Sequence, residues 1–428
     1  MMGRPLRIAM LTTFYPPHNF GGDGIAIQRL SRALVRRGHE VTVMHDVDAY
    51  NVLNRGDEPG PGKEPEGLRV VGLRSGAAGL SALLTQQLGR PVLTGRRIER
   101  ELDDGHFDII HYNNISLVGG PGLLALGDAV KVYEAHEHWL VCPSHVLWRH
   151  NRELCTGRQC LRCVASYQRP PQIWRYTGAL ERHLSEVDLF IAKSEFSRTK
   201  HAEFGFRHEM EVLPYFLPDL ETPPGLAAVK DAGSGPAAPH HRPYFLFVGR
   251  LEEIKGLDDV IPTFAAYEDA DLLIAGDGNY RPALEKLAAG NSRVRFLGRV
   301  DPEALDRFYR GAEALIVPSI CFETFGIILI EAFRQGTPVI ARRLGPFPEI
   351  VEACNGGELF SSSEELVEAM DRMRTSPEHR RACAASAVRG FQEIWSESAV
   401  VPAYLNLVAR AAEQGGRHEV ARAIAEAA

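Results

Sequence analysis

The chain has 428 residues, 45% of them hydrophobic and 24% charged, with 48 Lys and Arg against 55 Asp and Glu for a formal net charge of −7. That length is too great for one ordinary domain and fits two of about 200 residues each. The acidic balance argues against general nucleic-acid binding, and no apolar run approaches the roughly 18 residues that suggest a membrane span.

Arg7 to Leu11 reads as a first strand. Its apolar run ends at Thr12-Thr13 and Pro16-Pro17 without a leader-cleavage pattern, so the expected compartment is the cytoplasm. A loop carrying Gly21-Gly22-Asp23-Gly24 follows. Next comes an amphipathic helix, with Ile27, Leu30, Ala33 and Leu34 on one face and Arg29, Arg32, Arg36 and Arg37 on another. Gly38-His39 ends it, and Val41 to Met44 is a second strand. Glycines between a strand and a helix let backbone amides approach an anion, although a flexible connection has the same composition. The loop is not G-x-G-x-x-G, which sets a dinucleotide-dependent dehydrogenase aside. Residues 55–66 read as a surface loop and Arg69 to Leu73 as a strand. Ser81 to Leu102 reads as a helix with Arg90, Arg96, Arg97 and Arg100 among Leu and Val. It is either a solvated basic face or a surface for an acidic acceptor or membrane head groups.

Asp108 to Tyr112 is a buried strand with Asn113-Asn114 at its carboxyl end, and Lys131 to Tyr133 is another, running into EAHEHW. Polar clusters just beyond strand ends fall where open parallel sheets bind ligands. Cys321, Cys354 and Cys383 are scattered, as expected of reduced thiols. Cys142, Cys155, Cys160 and Cys163 are instead clustered within 142–163. Cys160-Leu-Arg-Cys163 has the two-residue gap of zinc sites, and the readings are a structural zinc, unbonded thiols or a conditional disulfide. Tyr167 to Asp188 reads as helical, Leu189 to Ala192 as a strand, and Glu211 to Leu213 closes an N-terminal domain of residues 1–219. Residues 220–243, rich in Pro, Gly, Ala and Ser, read as a linker.

A second domain, 244–396, repeats strand-then-polar-loop units. Tyr244 to Val248 runs into Gly249-Arg250 and Lys255-Gly256, Asp271 to Ala275 into Gly276-Asp277-Gly278, and Val294 to Leu297 into Gly298-Arg299. All these loops fall on one rim of a parallel sheet. Ala314 to Val317 opens the most informative stretch, in which a loop with Glu323 leads to an apolar helix ended by Gly336-Thr337-Pro338. Ile327 to Ile330, Ala332 and Phe333 cover nearly every face, so the helix is expected to be buried with Glu331 in it. Such a carboxylate needs a partner, a core Arg being one candidate. Its nearness to the helix start also puts it beside free amides that favour an anion such as phosphate.

Glu323 and Glu331, with Phe325-Gly326 between them and the EA-x3-G-x-P continuation, resemble the paired-glutamate motif of the family 4 retaining glycosyltransferases. The resemblance implies the α/β GT-B fold, two Rossmann-like parallel-sheet domains facing a cleft, with a C-terminal helix (about Val400 to Glu413, within 397–428) crossing back to the first. It implies transfer of a sugar, with retention, from a nucleotide-sugar donor to a hydroxyl-bearing acceptor, a glycan, glycolipid or small metabolite. No catalytic metal or cofactor is implied, and a place at the inner face of the membrane is left open. By the same resemblance Gly21 and Gly22 lie over the donor phosphates, and Arg250 and Lys255 in FVGRLEEIKG bind the diphosphate. His136 sits near the donor sugar, with Glu137 where Asp is usual; His138 and His111 are lesser candidates. Glu323 contacts sugar hydroxyls, amides of Phe325, Gly326 and Ile327 face the diphosphate, and Glu331 holds the ribose. The departures are Pro346-Phe347, where a second small residue is usual, and the cysteine-bearing insertion. The alternatives are a sugar-nucleotide epimerase or glycan phosphorylase on the same architecture, or a non-catalytic nucleotide-sugar binding subunit.

Overall fold

A computed structural model describes residues 4–54, 56–60, 62–220 and 239–427. Most of the expected linker, 221–238, lies outside the described residues. The chain divides into two compact units, residues 1–215 with 400–428, and residues 216–399.

The first unit holds β1 (Arg7–Thr12), β2 (Glu40–Asp46), β3 (Leu68–Leu73), β4 (Ile109–Tyr112), β5 (Val130–Ala135), the short hairpin β6 (Trp148–Arg149) and β7 (Glu153–Leu154), then β8 (Leu189–Ala192) and β9 (Glu211–Val212). Apart from the hairpin these form one sheet in the order β3-β2-β1-β4-β5-β8-β9, every pair parallel. Strands with apolar side chains on both faces need cover on both, and crossover helices supply it. Ile8, Ala9, Met10 and Leu11 are fully buried, as are Ile109 and Val130.

Several expected helices differ in extent. The Gly22–Arg36 helix takes in Gly22, leaving Gly21 as its N-cap, so the glycine loop is shorter than its sequence suggests. The expected helix from Ser81 to Leu102 is two, Ala78–Leu88 and Gly95–Gly105, because Gly89 takes a left-handed turn and Pro91 follows. Likewise 167–188 is broken: Pro170-Pro171 precedes a single turn, Ile173–Tyr176, and a short helix, Ala179–Leu184. The helix expected at about Val400 to Glu413 runs Glu397–Gln414, and a further one follows at His418–Ala427. Within the first unit, Tyr404 lies 3.1 Å from His111 Nδ1 through its hydroxyl, with the two rings stacked at 5.4 Å.

The second unit holds β10 (Tyr244–Val248), β11 (Asp271–Ala275), β12 (Val294–Gly298), β13 (Leu315–Val317), β14 (Val339–Arg342) and β15 (Gly357–Phe360) in the parallel order β12-β11-β10-β13-β14-β15. Phe245, Phe247, Ile274, Ile316 and Ile340 pack its core; burying each contributes about 2 kcal/mol. In both units the order reverses between the first strand and the fourth. Beyond the carboxyl ends of strands at such a reversal an open α/β sheet leaves a crevice for ligand. Among the described residues, no helix is long and apolar enough to cross a membrane.

Candidate active site

In the second unit the reversal lies between β10 and β13, where Leu246 pairs with Leu315. Segments leaving the carboxyl ends of these strands are therefore neighbours. From β10 the chain passes Gly249-Arg250 to the turn Glu253–Lys255; from β13 it passes Pro318-Ser319 to Glu323. Lys255 Nζ donates to Glu323 Oε1 at 2.8 Å, and Ser319 Oγ donates to the same oxygen at 2.7 Å. Gly256, at φ +71°, permits the approach, since a Cβ there would meet the Pro318 carbonyl at 2.2 Å.

The two charged side chains are 22% and 21% exposed. Burial opposes both charges, yet their mutual attraction prevails, holding the Lys255 ammonium above its ordinary pKa and the Glu323 carboxyl below. Arg250, largely exposed and 2.8 Å from Glu252, adds positive field at Glu323. Cys321 is buried, and burial followed by the Glu323 charge pushes its thiol up to about 12, which makes it a poor nucleophile.

Gly326, at φ +110°, starts the Ile327–Arg334 helix, and no side chain caps that end. The expectation of a helix buried all round is corrected here. Leu329, Ile330, Ala332 and Phe333 are buried, while Ile327, Ile328 and Glu331 are only partly so. Residues one turn apart share a face, so Ile327 and Glu331 leave one side of the helix start open. Glu331 Oε2 accepts from the hydroxyl of buried Tyr309 at 3.1 Å. Sequence reasoning overlooked Tyr309 and Ser319. Ser319 was findable, since it stands directly after a strand as the other rim residues do. Tyr309 gave no such signal, being the one buried residue of the helix Pro302–Gly311 and not on a segment that leaves a strand end.

In the first unit His136 follows β5 and Asn113 follows the adjacent β4. His136 Nε2 lies 2.9 Å from Asn113 Oδ1, and Nδ1 lies 2.6 Å from the Tyr215 hydroxyl. The amide oxygen only accepts, so Nε2 carries the proton and Nδ1 accepts from Tyr215. Burial, partly offset by Glu134, holds the ring below its ordinary pKa and hence neutral. Asp23, in the first turn of the Gly22–Arg36 helix, accepts from Asn114 Nδ2 at 3.3 Å. Asn19 accepts from the Gly21 amide at 3.4 Å and donates to its carbonyl at 2.7 Å. Gly21 as N-cap and Gly22 as first residue of the helix after β1, Asn113 after β4 and His136 after β5 thus stand beyond the carboxyl ends of neighbouring strands.

Behind His136, Glu134 is paired with Lys193 and lies 3.0 Å from His111 Nε2. His111 is fully buried between Glu134 and Tyr404, a structural position. His138 is buried against the His201 ring at 5.3 Å and stands outside the site. Glu137 lies 2.7 Å from His145 Nδ1. A cavity of about 550 Å³ in this unit, lined by Leu140, Val141, Arg158, Cys160, Arg175 and Tyr176 among others, includes none of the site residues.

Residues 20–217 match the model described as Glycosyltransferase Family 4, and residues 234–389 match Glycosyl transferases group 1. An uncharacterized glycosyltransferase of Methanocaldococcus jannaschii is 24% identical over 96% of this chain and 100% of its own. A phosphatidyl-myo-inositol mannosyltransferase of Mycobacterium leprae is 28% identical over 70% of this chain and 73% of its own. The Anabaena HepE structure in complex with UDP and glucose superposes with TM-score 0.63 at 16% identity, covering 96% of this chain and 100% of that one.

Proposed function

From the chain's membership of the glycosyltransferases, whose models its two parts match, we propose that it transfers a sugar from a nucleoside-diphosphate donor to an acceptor hydroxyl, with retention and without a metal ion. The observation that carries this reading is the Lys255–Glu323–Ser319 cluster at the strand reversal of the second unit, with Arg250 close by. An ammonium has three donors, and Glu323 takes one, which leaves two for a phosphate. Arg250, exposed and planar, suits bidentate phosphate contact. With the uncapped amides after Gly326, these groups supply positive charge where a departing diphosphate develops negative charge. Removing one such contact costs about 3 kcal/mol in the barrier. Glu331, held by Tyr309 on the open side of that helix, takes the ribose hydroxyls. Glu323 takes hydroxyls of the transferred sugar. The leaving phosphate oxygen accepts the proton of the incoming hydroxyl, which enters on the face the diphosphate leaves. His136, neutral and fixed by Asn113 and Tyr215, is an uncharged polar ring at the carboxyl rim of the first unit's own sheet. UDP and glucose in the related Anabaena structure and the mannosyltransferase name of the Mycobacterium leprae protein support a nucleoside-diphosphate hexose as donor.

The purified protein should be incubated with a panel of nucleotide sugars and candidate acceptors, with and without chelator. The expected product is a new glycoside of the donor's anomeric configuration, undiminished by chelation. Turnover of donor without an acceptor, by epimerisation or phosphorolysis, would overturn the reading. So would an inverted linkage or a strict requirement for added Mg²⁺ or Mn²⁺.

A further inference from the structure

Four of the seven cysteines lie in the segment between the turn at His138–Leu140 and the helix Cys160–Ser166. None is in a disulfide. Cys142 follows the turn, Cys155 follows the β6–β7 hairpin, and Cys160 and Cys163 stand three apart on the helix and hence on one face. All four line one small, partly open space of about 20 Å³, room for a single water-sized body. Cys142 and Cys163 are buried, and Cys155 and Cys160 are partly so.

The segment has little regular structure. Its regular structure is two strands of two residues each and one helix of seven. Four non-glycine residues, His145, Leu147, His150 and Asn151, are left-handed, a conformation that persists only where surroundings impose it. Structural metals serve small, turn-rich lobes of this kind. The backbone is also arranged toward sulfur: the His150 amide donates to Cys163 Sγ at 3.3 Å, the kind of contact that orients a ligating thiolate. Among the described residues, no three His, Cys, Asp or Glu side chains already stand grouped as an ion's ligands. Binding would therefore draw the four sulfurs inward by side-chain rotation around the space they line.

We propose that Cys142, Cys155, Cys160 and Cys163 form a closed four-thiolate site for a structural Zn²⁺. Each thiol gives its proton to solvent as its sulfur binds, and the closed set leaves no open position for substrate. Val141, Pro143, Arg158, Gln159 and Cys160 line both this space and the 550 Å³ cavity, so the ion would fix one wall of that cavity.

The test uses the full chain, purified reduced and without chelator. Elemental analysis should find about one zinc per chain. Replacing it with Co²⁺ should give the intense near-ultraviolet thiolate charge-transfer band and the visible absorption of a tetrahedral sulfur site. Cys155→Ser and Cys160→Ser should each lose the metal, whereas Cys354→Ser, in the other unit, should keep it. Chelation should lower the melting temperature. Reduced wild-type protein that holds no zinc and gives no Co²⁺ spectrum would overturn the proposal, and this readout needs no variant to fold. Thiol titration that finds all seven cysteines free in the presence of zinc would overturn it too.

Discussion

Glu323 and Glu331 come from one short stretch yet are held by different partners, and the partners separate their expected effects. Glu323 is bound by Lys255 and Ser319, so on the proposed reading it shares the ammonium with the donor phosphate and draws it away from that phosphate. Glu323→Gln keeps the shape but releases much of that hold on Lys255. The variant should bind bare nucleoside diphosphate at least as tightly as the parent, while kcat falls because the sugar loses a charged acceptor. Glu331 is held by Tyr309, away from that pair. Glu331→Gln should weaken bare diphosphate by about ten- to a hundredfold, in line with the roughly 1.5–3 kcal/mol of a charged hydrogen bond, and raise KM for the donor. Calorimetric titration of both variants with the diphosphate compares them directly. Equal losses of affinity would show that the two carboxylates do not divide the work in this way. The residues behind this prediction were only partly readable beforehand. Charged rim residues announce themselves by following strands, whereas Tyr309 reaches Glu331 only through tertiary packing.

At the scale of elements, the start of the Ile327–Arg334 helix depends on one backbone conformation. Gly326 sits at φ +110°, where any other residue is strained, and a Cβ there would come within 2.7 Å of the buried Phe347 ring. Phe347, one half of the Pro346-Phe347 pair, thereby packs as the floor under the turn. Gly326→Ala should cost about 1–3 kcal/mol of stability from strain, and displace the amides proposed to face the diphosphate. Denaturant unfolding combined with diphosphate titration tests both; an unchanged midpoint would mean that the turn relaxes freely. The strands were legible because a buried parallel strand is a continuous apolar run. Helix lengths were less so where Gly and Pro interrupted them, as at Gly89 and Pro91. The open side of the 327–334 helix was not legible either, since composition counts apolar residues and only packing says which of them are covered.

At the scale of the whole molecule, the first unit carries a set of buried neutral imidazoles. His39, His45, His136, His138 and His201 are all at most 9% exposed, and burial lowers the pKa of each, to about 3 for His45 and about 4 for His201. Each binds a proton less readily folded than unfolded, where the ordinary value is about 6.5. Its contribution to stability is therefore complete above about pH 6.5 and is lost as pH falls below it; for a deeply depressed histidine the loss at pH 5 is about 2 kcal/mol. Asp46 works the other way, because burial pushes its carboxyl up to about 7 and protonation on acidification relieves it. Its gain between pH 7 and 5 is of similar size, so one group offsets one of five. Glu134 and Glu323, both depressed, matter only below about pH 4.5. The net expectation is a marked loss of stability between pH 7 and pH 5, borne by residues 1–215. Melting curves at the two pH values, with hydrogen exchange to locate the loosened segments, should show the first unit unfolding earlier at pH 5. A midpoint that stays level or rises at pH 5, or loosening confined to residues 239–399, would mean that these imidazoles take up protons without leaving their packed positions.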